Sequence, residues 1–368
     1  MESSFTAIEI ILLIGAVQGF VLAFVLFTSK KPKALPNRLL SILLIIFSLN
    51  IIIHTVSHGN HPLHIPHHET IISLLFFLVG PLLYLYAKLL TITPQHINRK
   101  DLLHFLPFVI FLIISSPLYI VSIHLDKPVA FLLIIMDSVI VHIIIYMILS
   151  IMLLRKHALK IKQSFSSIER INLNWLRFLI SGLAVLWISA LLTDLIPTMR
   201  KNWDYQWLFI SIFMYVIGYI GLKQPMLFSG ELAVDTFDDK VPKKKYEKST
   251  LTKEMAEKYL QKLKTCIENE KPYLKSNLTL PELSDKLSIP VHYLSQIINE
   301  QFNQNFFEFI NSYRIEEAKK LIRHPDKQNL NLASIAFESG FNSVSSFNSA
   351  FKKFAGITPS QYRSNQNL

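Results

Sequence analysis

Seven runs of mostly apolar residues, each 16 to 26 positions long, occupy most of the first 222 residues of the chain. A bilayer core about 30 Å thick is crossed by roughly 20 helical residues that rise 1.5 Å each. The runs therefore predict a bundle of seven transmembrane helices. Their approximate bounds are Ile8 to Phe27, Leu39 to Val56, Thr70 to Leu90, Leu102 to Ile123, Val129 to Leu154, Leu176 to Ile196 and Trp207 to Leu222.

The first run is expected to stay in the mature chain. A cleaved signal peptide begins with basic residues, has a shorter apolar core and ends at a small-residue cleavage site. This run has Glu2 and Glu9 at its start, spans 20 positions and lacks such a site.

The pattern changes after Leu222, where residues 223–262 are predicted to form a tether and a helix. The tether is polar, with acidic residues followed by the lysine run Lys243 to Lys245, and it has no apolar period. About 25 flexible residues span roughly 25 to 30 Å on average. Helical spacing returns from Leu251 to Cys266, and the apolar face of that helix would either pair two protomers or dock on its own domain.

Two copies of a helix pair are predicted between Asn277 and Arg363. The first pair breaks at Ser288 to Pro290, and the second breaks at Gly340, which suits a turn that needs a positive φ. Between the copies, Phe306 to Ile322 forms one longer amphipathic helix. The pattern indicates two helix-turn-helix units joined by a rigid helix. Its apolar positions are Leu280, Leu283, Leu287, Leu294, Ile297, Ile298 and Phe302 in the first copy, and Leu332, Ile335, Ala336, Phe347, Phe351 and Phe354 in the second.

This segment resembles the DNA-binding domain of AraC/XylS-type transcription activators over about a hundred residues. The resemblance implies two helix-turn-helix units that bind promoter DNA, with RNA polymerase as a further partner, and it sets the domain at residues 263–368, after the membrane domain 1–222. The matching segments are Leu-Thr-Leu-Pro-Glu-Leu-Ser-Asp-Lys-Leu at 278–287, Tyr-Leu-Ser-Gln at 293–296, Asn-Ser-Tyr-Arg-Ile-Glu-Glu-Ala at 311–318, Ile-Ala-Phe-Glu-Ser-Gly-Phe at 335–341, Ser-Ser-Phe-Asn-Ser-Ala-Phe-Lys-Lys-Phe at 345–354 and Gly-Ile-Thr-Pro-Ser-Gln-Tyr-Arg at 356–363.

The helices predicted to enter the major groove are Pro290 to Gln301 and Ser343 to Ala355. Glutamine and asparagine suit the donor and acceptor edge of adenine, and Val344 suits the thymine methyl group. Because no arginine stands among the outward positions, we expect A·T-leaning half-sites about one helical turn apart. The predicted contact residues are His292, Ser295, Gln296, Asn299, Val344, Ser345, Asn348 and Ser349, with the local cation pair Lys352 and Lys353.

Composition supports a membrane protein and narrows the chemistry. Apolar residues make up 51% of the chain and charged residues only 17%, with a mean hydropathy of +0.36. The single cysteine, Cys266, excludes a disulfide framework and a thiolate-built metal site within one chain. No nucleophile elbow, Walker loop or HExxH motif occurs, so an enzyme is not predicted and no cofactor is expected.

Cations alternate with the loops between the apolar runs. Counted with the ends of the adjoining runs, the first, third and fifth loops carry thirteen lysines and arginines, and the second, fourth and sixth carry three. Since cytoplasmic loops accumulate Lys and Arg, we expect the N-terminus outside and everything after Leu222 in the cytoplasm of a bacterium, with the bundle in its inner membrane.

The net charge of +11 is not concentrated in the domain that resembles a DNA-binding module. From Asn277 onward there are nine cations and eight acidic residues. Affinity for DNA depends on the number of phosphates that a protein neutralises, so a monomer should bind weakly. A homodimer, or local clustering such as Lys352 with Lys353, would compensate.

Two features of the apolar half are candidates for signal sensing. Residues 54–68 hold six histidines in a loop predicted to lie outside, which indicates either a metal or acid sensor or a hydrated loop without a ligand. Asp137 lies inside the fifth run, where a carboxylate is costly unless it is protonated, paired or facing a cavity. Pro81, Pro107 and Pro117 are expected to kink the third and fourth runs. The candidate sensing residues are Asp137, His58, His61, His64, His67 and His68, and whether they hold a metal is open.

The sequence therefore predicts an all-α protein with a seven-transmembrane-helix N-terminal bundle and a C-terminal cytoplasmic domain of two helix-turn-helix units joined by a long helix. Its predicted function is that of a membrane-anchored one-component transcription regulator that binds double-stranded DNA in response to an unidentified signal ligand. The alternative is a transporter or membrane enzyme with a regulatory cytoplasmic domain. Transporters usually contain internally repeated spans, and no such repeat is visible in this sequence.

Overall fold

The computed structural model of the chain describes residues 6–28, 34–58, 68–91, 96–125, 130–169, 171–195, 204–223, 251–324 and 330–365. For residues 130–137 and several others near helix ends, the backbone alone is described. The described residues are almost entirely helical and contain no β-strand, which confirms the all-α prediction. They divide into two compact units, Met1–Arg155 with Leu173–Phe237 and Lys156–Asn172 with Asp238–Leu368.

The first unit is built from long apolar helices. Among the described residues, six helical spans are long and apolar enough to cross a membrane by length and composition, and a shorter apolar helix, Gln206–Val216, lies where the seventh was predicted. The helices are α1 (Ala7–Thr28), α2 (Ala34–His58), α3 (His68–Phe76), α4 (Val79–Thr91), α5 (Leu106–Leu125, preceded by a 3₁₀ helix at Arg99–Phe105), α6 (Ala130–Ser164), α7 (Asn174–Leu195) and α8 (Asp204–Lys223).

The third span is broken into α3 and α4, as the proline in its sequence predicts. Pro81 has no N–H group and cannot close the hydrogen bond that a continuous helix would make there. Just before it, the N–H groups of Phe77 and Leu78 donate to the carbonyls three residues earlier, at 3.2 and 3.1 Å, which is the pattern of a tighter helical turn. The break therefore follows from backbone chemistry.

Helix α6 is ten residues longer at its C-terminal end than the apolar run predicted. The run ends at Leu154, whereas the helix continues to Ser164 and carries Arg155 and Lys156 in its polar extension. Lys and Arg are good helix formers, so the change in polarity does not end the helix. As a result, the loop to α7 contains only residues 165–173.

Small residues allow α1 to lie close to α2 and α8. A Cβ added at Gly15 would overlap the side chain of Ser211, and one at Gly19 would overlap Met214 and Ser48. The hydroxyl of Ser211 donates to the backbone carbonyl of Ile11 at 3.2 Å. Small residues and interhelical hydrogen bonds are typical of helix packing in membranes, where apolar burial gives little driving force.

The outward faces of these helices are apolar. Large aliphatic and aromatic side chains on α1 are exposed, with Phe24 69% exposed, and almost none of α5 is buried. Contiguous apolar surface of this size is costly in water. The first unit therefore has the surface expected of a protein in a bilayer.

The second unit is a set of shorter helices around two hydrophobic cores. One core lies under the first helix pair and the other under the second, and the long helix α12 contributes to both. The helices are α9 (Lys253–Glu270), α10 (Leu280–Leu287), α11 (Val291–Phe302), α12 (Phe306–Arg323), α13 (Leu332–Glu338), α14 (Val344–Ala355) and α15 (Pro359–Ser364). The two predicted helix pairs and the helix between them are confirmed.

Helix α9 docks on its own domain, the second of the two arrangements that its apolar face allowed. Leu263, Cys266 and Ile267 are buried in the first core of the second unit. Burial raises the pKa of the Cys266 thiol, as expected for a cysteine that behaves as a small apolar side chain.

Local sequence signals determine the ends of the helices. Thr279 begins α10 with a capping box that Glu282 completes, and Asn305 with Glu308 does the same for α12. Gly340 has a φ of 92°, which confirms the predicted positive φ at the second turn. A Cβ at this position would lie 2.5 Å from the carbonyl oxygen of Tyr273, so the turn needs glycine for space as well as for conformation.

Candidate nucleic-acid interface

The second helix of each pair presents the same stripe of positions. On α11 the stripe consists of residues 292, 295, 296 and 299, and on α14 it consists of residues 345, 348, 349 and 352. Both follow the i, i+3, i+4, i+7 spacing that places side chains on one face of a helix. Each helix is held by buried residues on the opposite face, Leu294, Ile297 and Ile298 in the first and Phe347 and Phe351 in the second.

On α11 the stripe is only partly available to a partner. His292 is exposed, whereas Ser295 and Asn299 are half-buried. The Asn299 side-chain amide donates to the Ser295 carbonyl at 2.7 Å, one turn back on the same helix. Reading a base with Asn299 would require this bond to break or the carboxamide oxygen to face the DNA.

Gln296 differs from the expectation that its side chain points outward. The residue is only 7% exposed, and its amide nitrogen donates to the Glu300 carboxylate at 2.9 Å. Residues four apart on a helix are neighbours, so the hydrogen bond to Glu300 orients the long Gln296 side chain along the helix surface. Its amide is therefore already engaged.

On α14 the stripe is more open. Ser345, Asn348, Ser349 and Lys352 are exposed, and Val344 is half-buried. The helix begins with Ser343, whose hydroxyl accepts a hydrogen bond from the N–H of Ser346 at 3.2 Å. This helix therefore offers hydroxyl, amide and ammonium groups in one row.

The N-terminus of α11 lacks the cap that α14 has. Pro290 precedes α11 and makes no side-chain hydrogen bond to it. Ser343 precedes α14 with a hydroxyl that both accepts from the helix and donates outward. The two recognition helices therefore differ at the end where helix N–H groups commonly contact phosphate.

Six lysines of the second unit are paired with carboxylates in the part of the chain that the structure describes. The Lys353 ammonium bonds to Glu308 and holds the pKa of that carboxyl below its ordinary value. Lys352 has no ion-pair partner in the part of the chain that the structure describes. These pairs reduce the number of lysines that are free to contact phosphate. Its ion pairs are Lys271 with Glu317, Lys275 with Glu282, Lys286 with Glu270, Lys319 with Glu316, Lys320 with Glu317 and Lys353 with Glu308.

Arg314 on α12 is the buried centre of the second unit. It is 1% exposed, and its guanidinium donates to the carbonyls of Tyr273 at 2.7 Å, Lys275 at 2.8 Å and Ser276 at 3.1 Å. Burial lowers its pKa to about 10, which leaves it charged at neutral pH. The sequence motif at 311–318 contains this arginine, but only the structure reveals that it organises the backbone between α9 and α10.

The candidate sensing residues fall on the limits of the described chain. His61, His64 and His67 lie outside the described residues, and the side chains of His58, His68 and Asp137 are not described. The sensing role of all six remains a prediction. His54, the first of the six histidines in the loop sequence, lies within α2, where it is buried and stacks on Trp207 with ring centroids 4.5 Å apart.

A cluster that contains polar side chains lies more than one helical turn after Asp137 on α6. His142 contacts the rings of Phe77 and Tyr146 at centroid distances of 5.1 and 4.9 Å, and neither of its ring nitrogens has a hydrogen-bond partner among the described residues. The Tyr146 hydroxyl lies 3.0 Å from Nδ1 of His104. The cluster connects α6 to the break between α3 and α4 through ring contacts, and to the 3₁₀ helix before α5 through the contact between Tyr146 and His104.

The C-terminal domain is an AraC-type helix-turn-helix domain. Residues 283–365 match the family model described as a helix-turn-helix domain. The match begins within α10 and covers the rest of both helix pairs and the helix between them, and it confirms the resemblance inferred from the sequence motifs.

Curated relatives align with about a quarter of this chain. An uncharacterized HTH-type transcriptional regulator of Staphylococcus aureus (strain COL) is 37% identical over 87 residues, which is 24% of this chain and 11% of the relative. The uncharacterized HTH-type transcriptional regulator YtdP of Bacillus subtilis (strain 168) is 34% identical over 88 residues, again 24% of this chain and 11% of the relative. The chain thus spans about a tenth of the length of these relatives. A solved structure of a protein of unknown function from Listeria innocua is 28% identical, covering 28% of this chain and 94% of that one, with a TM-score of 0.25.

Proposed function

We propose that this protein is a membrane-anchored one-component transcription regulator. The apolar unit would lie in the bacterial inner membrane, receive a signal, and control how the helix-turn-helix domain binds promoter DNA from the cytoplasmic side. The curated relatives of the domain carry the name of HTH-type transcriptional regulators, and a DNA-binding role fits the two recognition helices.

The equivalent stripes on α11 and α14 support this proposal most directly. They place polar residues at four corresponding positions on two helices that α12 connects, and the stripe on α14 is the more exposed of the two. Two such helices held by one rigid helix suit successive major grooves of B-DNA, about one helical turn apart. The AraC/XylS resemblance favours activation, with RNA polymerase as a partner.

Dimerisation is part of the proposal. Since six lysines of the domain are paired with carboxylates and Arg314 is buried, one domain alone would neutralise few phosphates. Two chains held in one membrane would raise the effective concentration of the second domain to roughly millimolar.

The proposed signal site includes Asp137 and the histidines of residues 58–68.

Asn348→Ala should relax sequence preference more than Gln296→Ala does. Asn348 is exposed on the open stripe, whereas the amide of Gln296 is engaged by Glu300. One good bidentate contact to adenine contributes about 1 to 3 kcal/mol of discrimination. Selection of bound sequences from a random DNA pool with the full chain in lipid nanodiscs measures this preference.

Gln301→Ala is the matched control, because Gln301 is exposed on α11 but lies off the stripe. It should leave the selected sequence unchanged. If Asn348→Ala left the sequence preference unchanged, Asn348 would not contact bases. If Gln301→Ala lost sequence preference, the face of α11 that contacts bases would include Gln301 and would differ from the proposed stripe.

Reporter fusions test the proposed orientation. A cytoplasm-active reporter after Leu222 should be active, and an export-dependent reporter in the loop at residues 59–66 should also be active, because cations favour the cytoplasmic side by thirteen to three. The reverse pattern would place the helix-turn-helix domain outside and end the proposal, since promoter DNA lies inside.

A further inference from the structure

A short segment between α6 and α7 pairs with the helix-turn-helix domain, and we call residues 165–169 the strap. The strap belongs to the second unit, not to the apolar one. Phe165 and Thr279 form an isolated antiparallel bridge, and the N–H of Ser166 donates to the carbonyl of Leu278 at 3.1 Å. The strap thus lies against the residues that lead into α10.

The centre of the strap completes the hydrogen bonding of Arg314. The Arg314 guanidinium donates to the carbonyl and the hydroxyl of Ser166, both at 3.1 Å, and the Asn311 amide donates to the same carbonyl at 3.4 Å. Ser166 is only 1% exposed. A buried serine whose backbone and side chain are both bonded is part of the packed structure of this unit.

The end of the strap reaches the start of the second recognition helix. The Asn342 amide donates to the Ser167 hydroxyl at 2.7 Å, and the Ser343 hydroxyl donates to the Glu169 carboxylate at 2.9 Å. Ser343 is the residue that caps α14. An acidic side chain from between two apolar helices therefore lies at the N-terminus of the helix predicted to read DNA.

Glu169 occupies a position that suits a phosphate. The N-terminus of a helix attracts anions, because its first N–H groups point outward and the helix dipole is positive there. DNA-binding proteins use such N-termini and their hydroxyl groups to contact backbone phosphates. A carboxylate bonded to Ser343 would repel a phosphate approaching the same hydroxyl.

We propose that the strap is an autoinhibitory link, in which Glu169 takes the place of a DNA phosphate at α14 until movement of the membrane helices withdraws it. This inference rests on the proposed DNA-binding function and deepens it. It supplies a route for the signal through the loop between α6 and α7.

The covalent connections of the strap suit such a link. Helix α6 runs without interruption from Ala130 to Ser164, so a shift or rotation of its apolar part acts on the strap directly. On the other side, the N–H groups of Ile171 and Asn172 bond to the carbonyl of Ile168 at 3.2 and 2.8 Å. These bonds form one turn that precedes α7.

Removing the negative charge of the strap tests whether Glu169 and a DNA phosphate compete for the N-terminus of α14. Glu169→Gln keeps an acceptor for Ser343 but loses the negative charge, and it should bind DNA roughly threefold to fivefold more tightly than the wild type. The measurement uses the full chain in lipid nanodiscs and DNA fragments recovered with the wild-type protein from cells. Glu257→Gln, an exposed charge loss on α9, should leave the affinity unchanged.

Locking the strap tests the proposal from the other side. In a Cys266→Ala background, which removes the single native thiol, Ser167→Cys with Asn342→Cys places two thiols where the hydroxyl and amide now meet at 2.7 Å. Oxidation should weaken DNA binding at least roughly tenfold, because the competent state is depleted, and a reductant should restore it. If the pair forms no disulfide, the strap is not seated on the domain and the proposal is overturned.

The results separate this inference from the proposed function. Equal affinity in the oxidised and reduced pair, or weaker binding by Glu169→Gln, would overturn the autoinhibitory strap while sequence-specific binding by the wild type stands. If no specific DNA fragments are recovered with the wild type or Glu169→Gln, the regulator function fails and the strap proposal fails with it.

Discussion

Gly340→Ala should destabilise the helix-turn-helix domain by roughly 2 to 4 kcal/mol. Its φ of 92° is strained for any residue with a Cβ, and the added Cβ would lie 2.5 Å from the carbonyl oxygen of Tyr273 and 2.9 Å from the Cα of Leu274. Both neighbours are backbone atoms and cannot swing away. The cost combines about 1 to 2 kcal/mol of conformational strain with a steric term of similar size.

Gly356→Ala separates these two contributions. Gly356 also has a positive φ, 77°, but no atom lies within 4 Å of its added Cβ in the described structure. It should cost only the conformational term, about 1 to 2 kcal/mol. Equal losses in the two variants would mean that the turn relaxes away from Tyr273.

Hydrogen–deuterium exchange of the full chain in detergent micelles measures the losses, through peptides from α12 to α14. Tryptophan fluorescence would not follow this domain, since all four tryptophans precede residue 208. A 3 kcal/mol loss corresponds to roughly a hundredfold loss of protection when exchange follows domain unfolding.

Arg314→Leu should lower the free energy of unfolding of the helix-turn-helix domain by about 3 to 5 kcal/mol. The substitution keeps an apolar stem in the core but removes the donors that satisfy the buried carbonyls of Tyr273 and Ser166 and those of Lys275 and Ser276. Each buried acceptor left without a donor costs about 1 to 3 kcal/mol. Exchange in peptides from residues 273–287, which these bonds hold, should rise first.

Arg323→Leu is the control, because Arg323 lies on the same helix but is exposed. Its guanidinium stacks on Tyr362 with the Cζ 5.6 Å from the ring centroid, and Nε bonds to the hydroxyl at 2.8 Å. Its loss should cost about 0.5 to 1 kcal/mol. If Arg314→Leu were no worse than this control, water would have to replace the guanidinium at the buried carbonyls.

The recognition helices were predictable to within one residue because their signals are local. The apolar spacing of Phe347 and Phe351 gives the buried face of α14, and Ser343 gives its N-terminus. The turn at Gly340 follows from the same kind of signal, since a positive φ favours glycine whatever packs nearby. These features depend on neighbours a few positions away in the chain.

The length of α6 and the side chain of Gln296 were not predictable in the same way. The end of an apolar run indicates where the surroundings of the chain change from apolar to polar. Helix α6 continues beyond that point because its polar residues also favour a helix. Helical spacing places Gln296 opposite the core, but it does not say that Glu300 will bind its amide. Side-chain direction depends on such competing partners.

By itself, the sequence determined the apolar bundle and the two helix pairs, because hydrophobic period, caps and turn residues act over a few positions. Only the tertiary structure decided the role of the strap. Ser166 lies 148 residues from Arg314, and Glu169 lies 174 residues from Ser343. A hydrogen bond over such a separation leaves no period in the sequence, since it depends on how the whole second unit folds around the buried guanidinium.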